Sequence, residues 1–255
     1  MRRPLTASMT PRPLTAPRRP AFYALAAGGW RDYFTLLHLP YTLWHLSYVV
    51  LGAAFAPTVR YGRLGATLAA FFLGMGVAAH ALDELSGRPL QTRIPKSVLK
   101  ALAVGGLAGA CGLGIAGTIL ATPWLPFFIV FGVFIAPAYS LEWFRGRLHS
   151  DIWFALAWGV FPFLTAYWVS AERFGAGVLP GVVAVLALSL AQRTLSMRVR
   201  TIRRKVRSVE GTVVYADGST EHLSTKWALA TDEAALRLLS LTTIALATGV
   251  LLARL

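Results

Sequence analysis

Ala79-His80-Ala81-Leu82-Asp83-Glu84-Leu85-Ser86-Gly87-Arg88-Pro89-Leu90 closes an apolar run, Leu64 to Leu82, that is long enough to cross a bilayer. His80, Asp83 and Glu84 therefore fall where a membrane helix meets water. On a helix His80 is three residues from Asp83 and four from Glu84, so the spacing puts them on one face. Ionisable side chains at such a place are costly and are candidates for function. A carboxylate pair followed at once by Arg88, Arg93 and Lys96 suits a divalent cation and a phosphate group. The same residues also suit a plain polar helix end with both carboxylates in water.

Composition agrees with a membrane setting. Apolar residues make up 56% of the chain, charged residues 14%, and the mean hydropathy is +0.57. That charge content is well below the quarter usual in a soluble domain. The single cysteine, Cys111, excludes an internal disulfide. Residues 1–30 are basic, and the first twenty are rich in Pro and Arg with no apolar core; they read as a disordered cytoplasmic tail. Residues 31–255 read as one transmembrane helical domain, in which 196–228 form a basic helix extension and a hairpin.

The apolar runs suggest about seven spans, near 34–56, 63–82, 98–121, 124–141, 151–170, 175–195 and 229–252. The net charge of +14 is unevenly spread among the segments between them. With a cytoplasmic N-terminus, the outward loops hold Arg60, Arg173 and Arg254, and the remaining loop cations face inward. That asymmetry is what the positive-inside rule requires. It puts the His80–Glu84 cluster and the basic segment after residue 195 on the cytoplasmic face. Many of these arginines also serve simply to set topology or to meet anionic lipid headgroups.

Other features are local. His38 and His45 lie seven apart in the first span, close to Pro40. The third span is rich in glycine, with Gly105 and Gly109 in a GxxxG pair, and reads as a centrally packed helix. Tyr139 ends the fourth span and Asp151 opens the fifth, so both are candidates for a shared cavity. Pro162 predicts a kink or local unwinding in the fifth span. No acidic residue occurs between Glu172 and Glu210, and Arg193, Arg200 and Arg204 share roughly one helical face. No aromatic residues are interleaved among these arginines, which argues against nucleic-acid binding. Asp217-Gly218 between apolar strands predicts a hairpin over 209–223, docked as a flap over the basic helix. Asp232 and Glu233 suit the start of the last span. That span contains no lysine for a retinal Schiff base, and the chain shows no internal repeat of the transporter kind.

An ordered pattern over about residues 30–205 resembles the UbiA superfamily of intramembrane prenyltransferases. Phe34-Thr-Leu-Leu-His-Leu-Pro-Tyr-Thr-Leu-Trp with Gly52-Ala-Ala resembles that family's first helix. Ala78-Ala-His-Ala-Leu-Asp-Glu-Leu, with Arg88-Pro89-Leu90 and Arg93-Ile94-Pro95 after it, stands where the family has its first Asp-rich motif and basic loop. Tyr139-Ser140 and the stretch Asp151 to Tyr167 resemble the fourth-to-fifth helix region, and Arg193-Thr194-Leu195-Ser196 stands at the second Asp-rich motif.

The resemblance implies an all-α polytopic fold around a central, cytoplasm-facing cavity. It implies magnesium-assisted transfer of a prenyl group from a prenyl diphosphate, whose tail lies in the membrane, to a small, typically aromatic, acceptor or to a lipid acceptor. The sequence also departs from the family. His80 and Ala81 stand at the Asn and first Asp positions, Glu84 at the second and Arg88 at the third. Residues 186–208 hold no carboxylate, and seven spans fall short of the family's nine.

Two readings follow. In the first, Asp83 and Glu84, with His80, hold one magnesium ion and carry catalysis. Arg193, Arg198 and Arg200 replace the second metal at the diphosphate, Arg88, Arg93 and Lys96 close the site, and His45, Tyr139 and Asp151 face the cavity. In the second, the protein binds an isoprenoid or another anionic lipid without turnover, or serves as a subunit of a membrane complex. An incomplete ring of helices would favour a homo-oligomer.

Overall fold

Long apolar segments ended by Pro, Gly and charged turns produce long helices joined by short connections. The protein is described here by a computed structural model covering residues 19–255. The helices are α1 (Trp30–Leu36), α2 (Leu39–Phe55), α3 (Tyr61–Gly87), α4 (Lys96–Leu120), α5 (Leu125–Ser140), α6 (Asp151–Ala171) and α7 (Val178–Lys205). Strands β1 (Gly211–Val214) and β2 (Thr220–Leu223) follow, then α8 (Thr225–Leu252). Five of the helices, α3, α4, α6, α7 and α8, are long and apolar enough to cross a membrane. The chain is thus a polytopic, mostly helical membrane protein with a small antiparallel sheet.

The first expected span is broken. α1 ends at Leu36, His38 takes a left-handed conformation, and α2 begins at Leu39 with Pro40 in its first turn. Proline is accepted there because its missing N–H is not needed by the first turn. α2 then runs through the middle of the bundle and packs on α3, α6, α7 and α8. Trp44 and Tyr48 of α2, Phe163 of α6 and Val185 of α7 form the largest buried cluster. Gly52 lets α2 and α6 touch through backbone, since a Cβ there would collide with the Phe163 carbonyl. Gly181 of α7 makes room for the Phe163 ring in the same way.

Two helices leave the α-helical register. α3 is π-helical over Phe72–Ala79, and α6 over Leu156–Val160. In α6 the cause is Pro162, which removes the N–H that would pair with the Trp158 carbonyl four residues back. The predicted local unwinding is therefore present. In α3 the π-helical stretch contains Gly74 and Gly76 and hands over directly to His80.

α4 is packed at the edge, not centrally. It touches α3 and α5, and buries only Leu99, Ala103 and Gly106. Of the expected GxxxG pair, Gly109 meets the Leu73 side chain but Gly105 meets nothing within 4 Å. The close backbone approach is at Gly106, which sits on the Leu73 carbonyl and Ala78, and Gly114 packs on Ile129. The other face carries exposed Val104, Ile115 and Ile119. One rim of the bundle is closed by Arg63, whose guanidinium is 2.6 Å from Glu172, and by Arg254 on the Ala56 and Pro57 carbonyls.

The expected tail, 1–30, divides. Residues 1–18 lie outside the described residues. From Arg19 onward the chain packs: Ala21 and Ala24 are buried against Leu90, and Phe22 and Tyr23 meet Tyr41 edge-on. The hairpin is present, with Val214 opposite Thr220 and Gly218 at positive φ in its loop. Its strands are largely exposed, and none of its residues is among those lining the cavity described next.

Candidate functional site

The π-helical segments of α3 and α6 border a polar cavity of about 410 Å³. His38, Tyr41 and His45 enter it from the first turns of α2, and Met75, Ala79, His80 and Asp83 from α3. Tyr139 and Ser140 come from the end of α5, Phe154 and Trp158 from α6, and Gln192, Arg193, Met197, Arg200, Thr201, Arg204 and Lys205 from α7. The predicted face of Arg193, Arg200 and Arg204 is thus the wall of the cavity.

Asp83 and Glu84 part company. Adjacent helix residues point about 100° apart, and only Asp83 reaches the cavity. Glu84 is buried and faces the following loop, where its Oε2 accepts the Leu90 N–H at 3.0 Å. Its Oε1 accepts both the N–H and the hydroxyl of Thr92 at 2.8 Å. Arg88 belongs to the same loop: its guanidinium donates to the Thr92 carbonyl at 2.7 Å and the Ile94 carbonyl at 2.8 Å. The N–H of Arg93 is held by Asp32 Oδ2 at 2.8 Å, and Lys96 opens α4 on the surface. None of Arg88, Arg93 and Lys96 lines the cavity, whereas Ser86, Gly87 and Pro89 of the same turn do.

Two other expected site residues act from outside. Asp151 does not line the cavity; from the start of α6 its Oδ1 accepts Arg193 Nε at 2.9 Å. The Arg193 guanidinium also lies 5.3 Å from the Phe154 ring centroid, so this buried cation is held on two sides. Arg198 points away from the cavity to Asp232, at 3.1 Å. Asp232 and Glu233 lie beyond the first turn of α8, where they tie α8 to Arg198 and Arg203 of α7.

The histidines form a chain. Tyr23 Oη is 3.0 Å from His38 Nδ1, and the His38 ring stacks on His80 with centroids 4.1 Å apart. Burial pushes the Tyr23 hydroxyl up to about 12, so it stays protonated at neutral pH. His80 Nδ1 is 3.0 Å from the Gly76 carbonyl oxygen, in the π-helical stretch. His45 lies beside the Trp158 carbonyl that Pro162 leaves without its helical partner. Tyr139 stacks on His149 at 4.4 Å and meets Trp158 edge-on at 5.7 Å.

Several cavity atoms are buried with no hydrogen-bond partner: His38 Nε2, His45 Nδ1, Tyr139 Oη and Gln192 Oε1. Buried polar groups are nearly always paired in native proteins, so this cluster is the mark of a site for a polar molecule. Sequence reasoning did not single out Gln192, Lys205 or Trp158. The i, i+3, i+4 and i+7 spacing of Ser189, Gln192, Arg193 and Ser196 was the available signal for a polar buried stripe on α7.

A second space, about 470 Å³, runs between α3, α4, α5 and α6. Its walls are chiefly apolar side chains and glycines, among them Phe71, Leu113, Phe128 and Phe161. Met75 and Trp158 belong to the walls of both spaces, so the apolar groove and the polar cavity adjoin there.

As a magnesium site the donor set is poor. Magnesium takes oxygen ligands in a near-octahedral shell. The lining carboxylates are Asp83 and the exposed Glu142, while Glu84 is spent on the loop and Asp151 on Arg193. No group of three or more His, Cys, Asp or Glu side chains that could hold a metal ion occurs among the described residues.

Fold and site together define a class: a polytopic helical membrane protein with a cationic cavity set against an apolar groove. No family model, curated protein or solved structure matches the chain.

Proposed function

We propose that this protein is an intramembrane transferase that takes a prenyl group from a prenyl diphosphate to a small acceptor. The observation carrying this reading is the junction at Met75 and Trp158, where a cationic cavity adjoins an apolar groove. An amphiphile with an anionic head and a long hydrocarbon tail matches both halves. The UbiA-like order of motifs supports the same substrate class. In this reading α2 and α5 cross the membrane too, making seven spans. At 17 and 16 residues they extend roughly 25 Å, slightly short of a bilayer core. The basic loops and the cavity mouth face the cytoplasm.

Transfer breaks the allylic C–O bond, and the electron pair leaves with the diphosphate. Arg193, Arg200, Arg204 and Lys205 stabilise that charge in a site of low dielectric. The acceptor forms the new bond to the allylic carbon and gives up a proton. Asp83, the less exposed of the two carboxylates in the cavity wall, is placed to take it. Glu84 has no chemical role here and holds the loop.

A second reading, binding of an anionic lipid without turnover, is favoured by the structural use of Glu84 and Asp151. Pyrophosphate release by the purified protein, given prenyl diphosphates and a panel of acceptors, separates the two. The transferase reading expects release that falls about a hundredfold or more in Asp83→Asn. Tight binding with no release under any condition would reject it in favour of lipid binding.

A further inference from the structure

The cations of the cavity wall are unevenly paired. Arg193 is matched by Asp151. Arg200, Arg204 and Lys205 also line the cavity, yet none of them forms an ion pair with a carboxylate among the described residues. The carboxylates among the lining residues are Asp83 and Glu142. A divalent cation entering this space meets more positive than negative charge, with one deep carboxylate to hold it. A phosphate meets the reverse, and guanidinium groups can grip it through paired N–H donors. The wall is partly set in advance: Arg200 and Arg204 are one turn apart on α7, and Arg204 Nε donates to the Pro20 carbonyl at 3.3 Å.

We propose that Arg200, Arg204 and Lys205 hold the phosphate or diphosphate head of the ligand directly, with no metal ion bridging it to the protein. The inference rests on reading the cavity as the site of an anionic-headed amphiphile, and not on turnover. The head is a phosphate monoester or diphosphate, whether it belongs to a prenyl compound, a membrane lipid or a free anion.

The test is calorimetric binding of inorganic pyrophosphate and of farnesyl diphosphate to the full chain in neutral-lipid nanodiscs, with chelator or with excess magnesium. Binding is expected to be as tight or tighter with chelator, because magnesium masks ligand charge. Arg200→Gln and Arg204→Gln should each weaken it about tenfold. Arg200→Lys should keep more of the affinity than Arg200→Gln, which separates lost charge from lost fold. Asp83→Asn should tighten binding by removing a repulsive charge; a metal-bridged site would weaken instead. Loss of binding on chelation, weakening in Asp83→Asn, or failure of both probes to bind overturns the proposal. Phosphatidic acid in the disc identifies the source of the head. Competition with pyrophosphate points to a membrane lipid, its absence to a prenyl or soluble phosphate, and either result with chelator present supports direct contact. Binding in chelator, together with no pyrophosphate release under any condition of the acceptor assay, would defeat the transferase reading and leave this inference standing. Strictly magnesium-dependent binding with turnover would do the opposite.

Discussion

Asp83 and Glu84 show how much one step of helix rotation decides. Adjacent in sequence and alike in charge, they face a cavity and a loop respectively. Glu84→Ala would leave the Leu90 and Thr92 N–H groups and the Thr92 hydroxyl without their acceptor in a buried place. Each unpaired buried group costs about 1–3 kcal/mol, so a loss of about 3 kcal/mol or more is expected. Thermal unfolding in detergent reads this as a clearly lower midpoint; an unchanged midpoint would mean the loop is held by something else. Asp83→Asn, by contrast, should melt close to the parent protein and differ in ligand handling.

At the scale of the helix, backbone contact matters more than apolar content. Gly52→Ala sets a Cβ against the Phe163 carbonyl, which is backbone and has no rotamer to yield. The expected cost is about 1–3 kcal/mol, against a small gain in helix propensity. Gly65→Ala on α3 meets nothing within 4 Å and should be neutral or slightly stabilising. Equal melting behaviour in the two variants would show that α2 and α6 are not in contact through Gly52. The π-helical stretches belong to the same scale. Pro162 made the one in α6 legible beforehand, through a missing donor. The one in α3 carries no proline, and the sequence offered no comparable sign of it.

Across the whole molecule, the rim away from the cavity is held partly by charge. The hydrogen bond from Arg63 keeps the Glu172 carboxyl below its ordinary value of 4.5. A carboxylate with a lowered folded-state value adds stability that is complete above the unfolded value and fades as pH falls through the folded one. The bridge should therefore contribute fully at neutral pH and be lost as pH falls below the ordinary Glu value and through the lowered Glu172 value. Glu172→Gln should flatten that part of the acid dependence of the melting midpoint, with the change read at low salt because the pair is exposed. An identical acid profile in the variant would remove the bridge from the account.

What the chain determined by itself is the run of long helices, the hairpin at Asp217-Gly218, and the polar ends where membrane meets water. These are local: they follow from apolar length, helix and turn chemistry and the residue that interrupts each run. The cationic stripe of Arg193, Arg200 and Arg204 was legible for the same reason, since all three lie on one helix at helical spacing. Tertiary structure decided which partner each charge meets. Arg198 is only five residues from Arg193, yet α8 claims it through Asp232, and Asp151 is claimed by Arg193 from a different helix. It also placed α4 at the edge and brought the apolar groove against the polar cavity at Met75 and Trp158. Such pairings join residues far apart in sequence, and the packing of whole helices sets them, so no local spacing carries them.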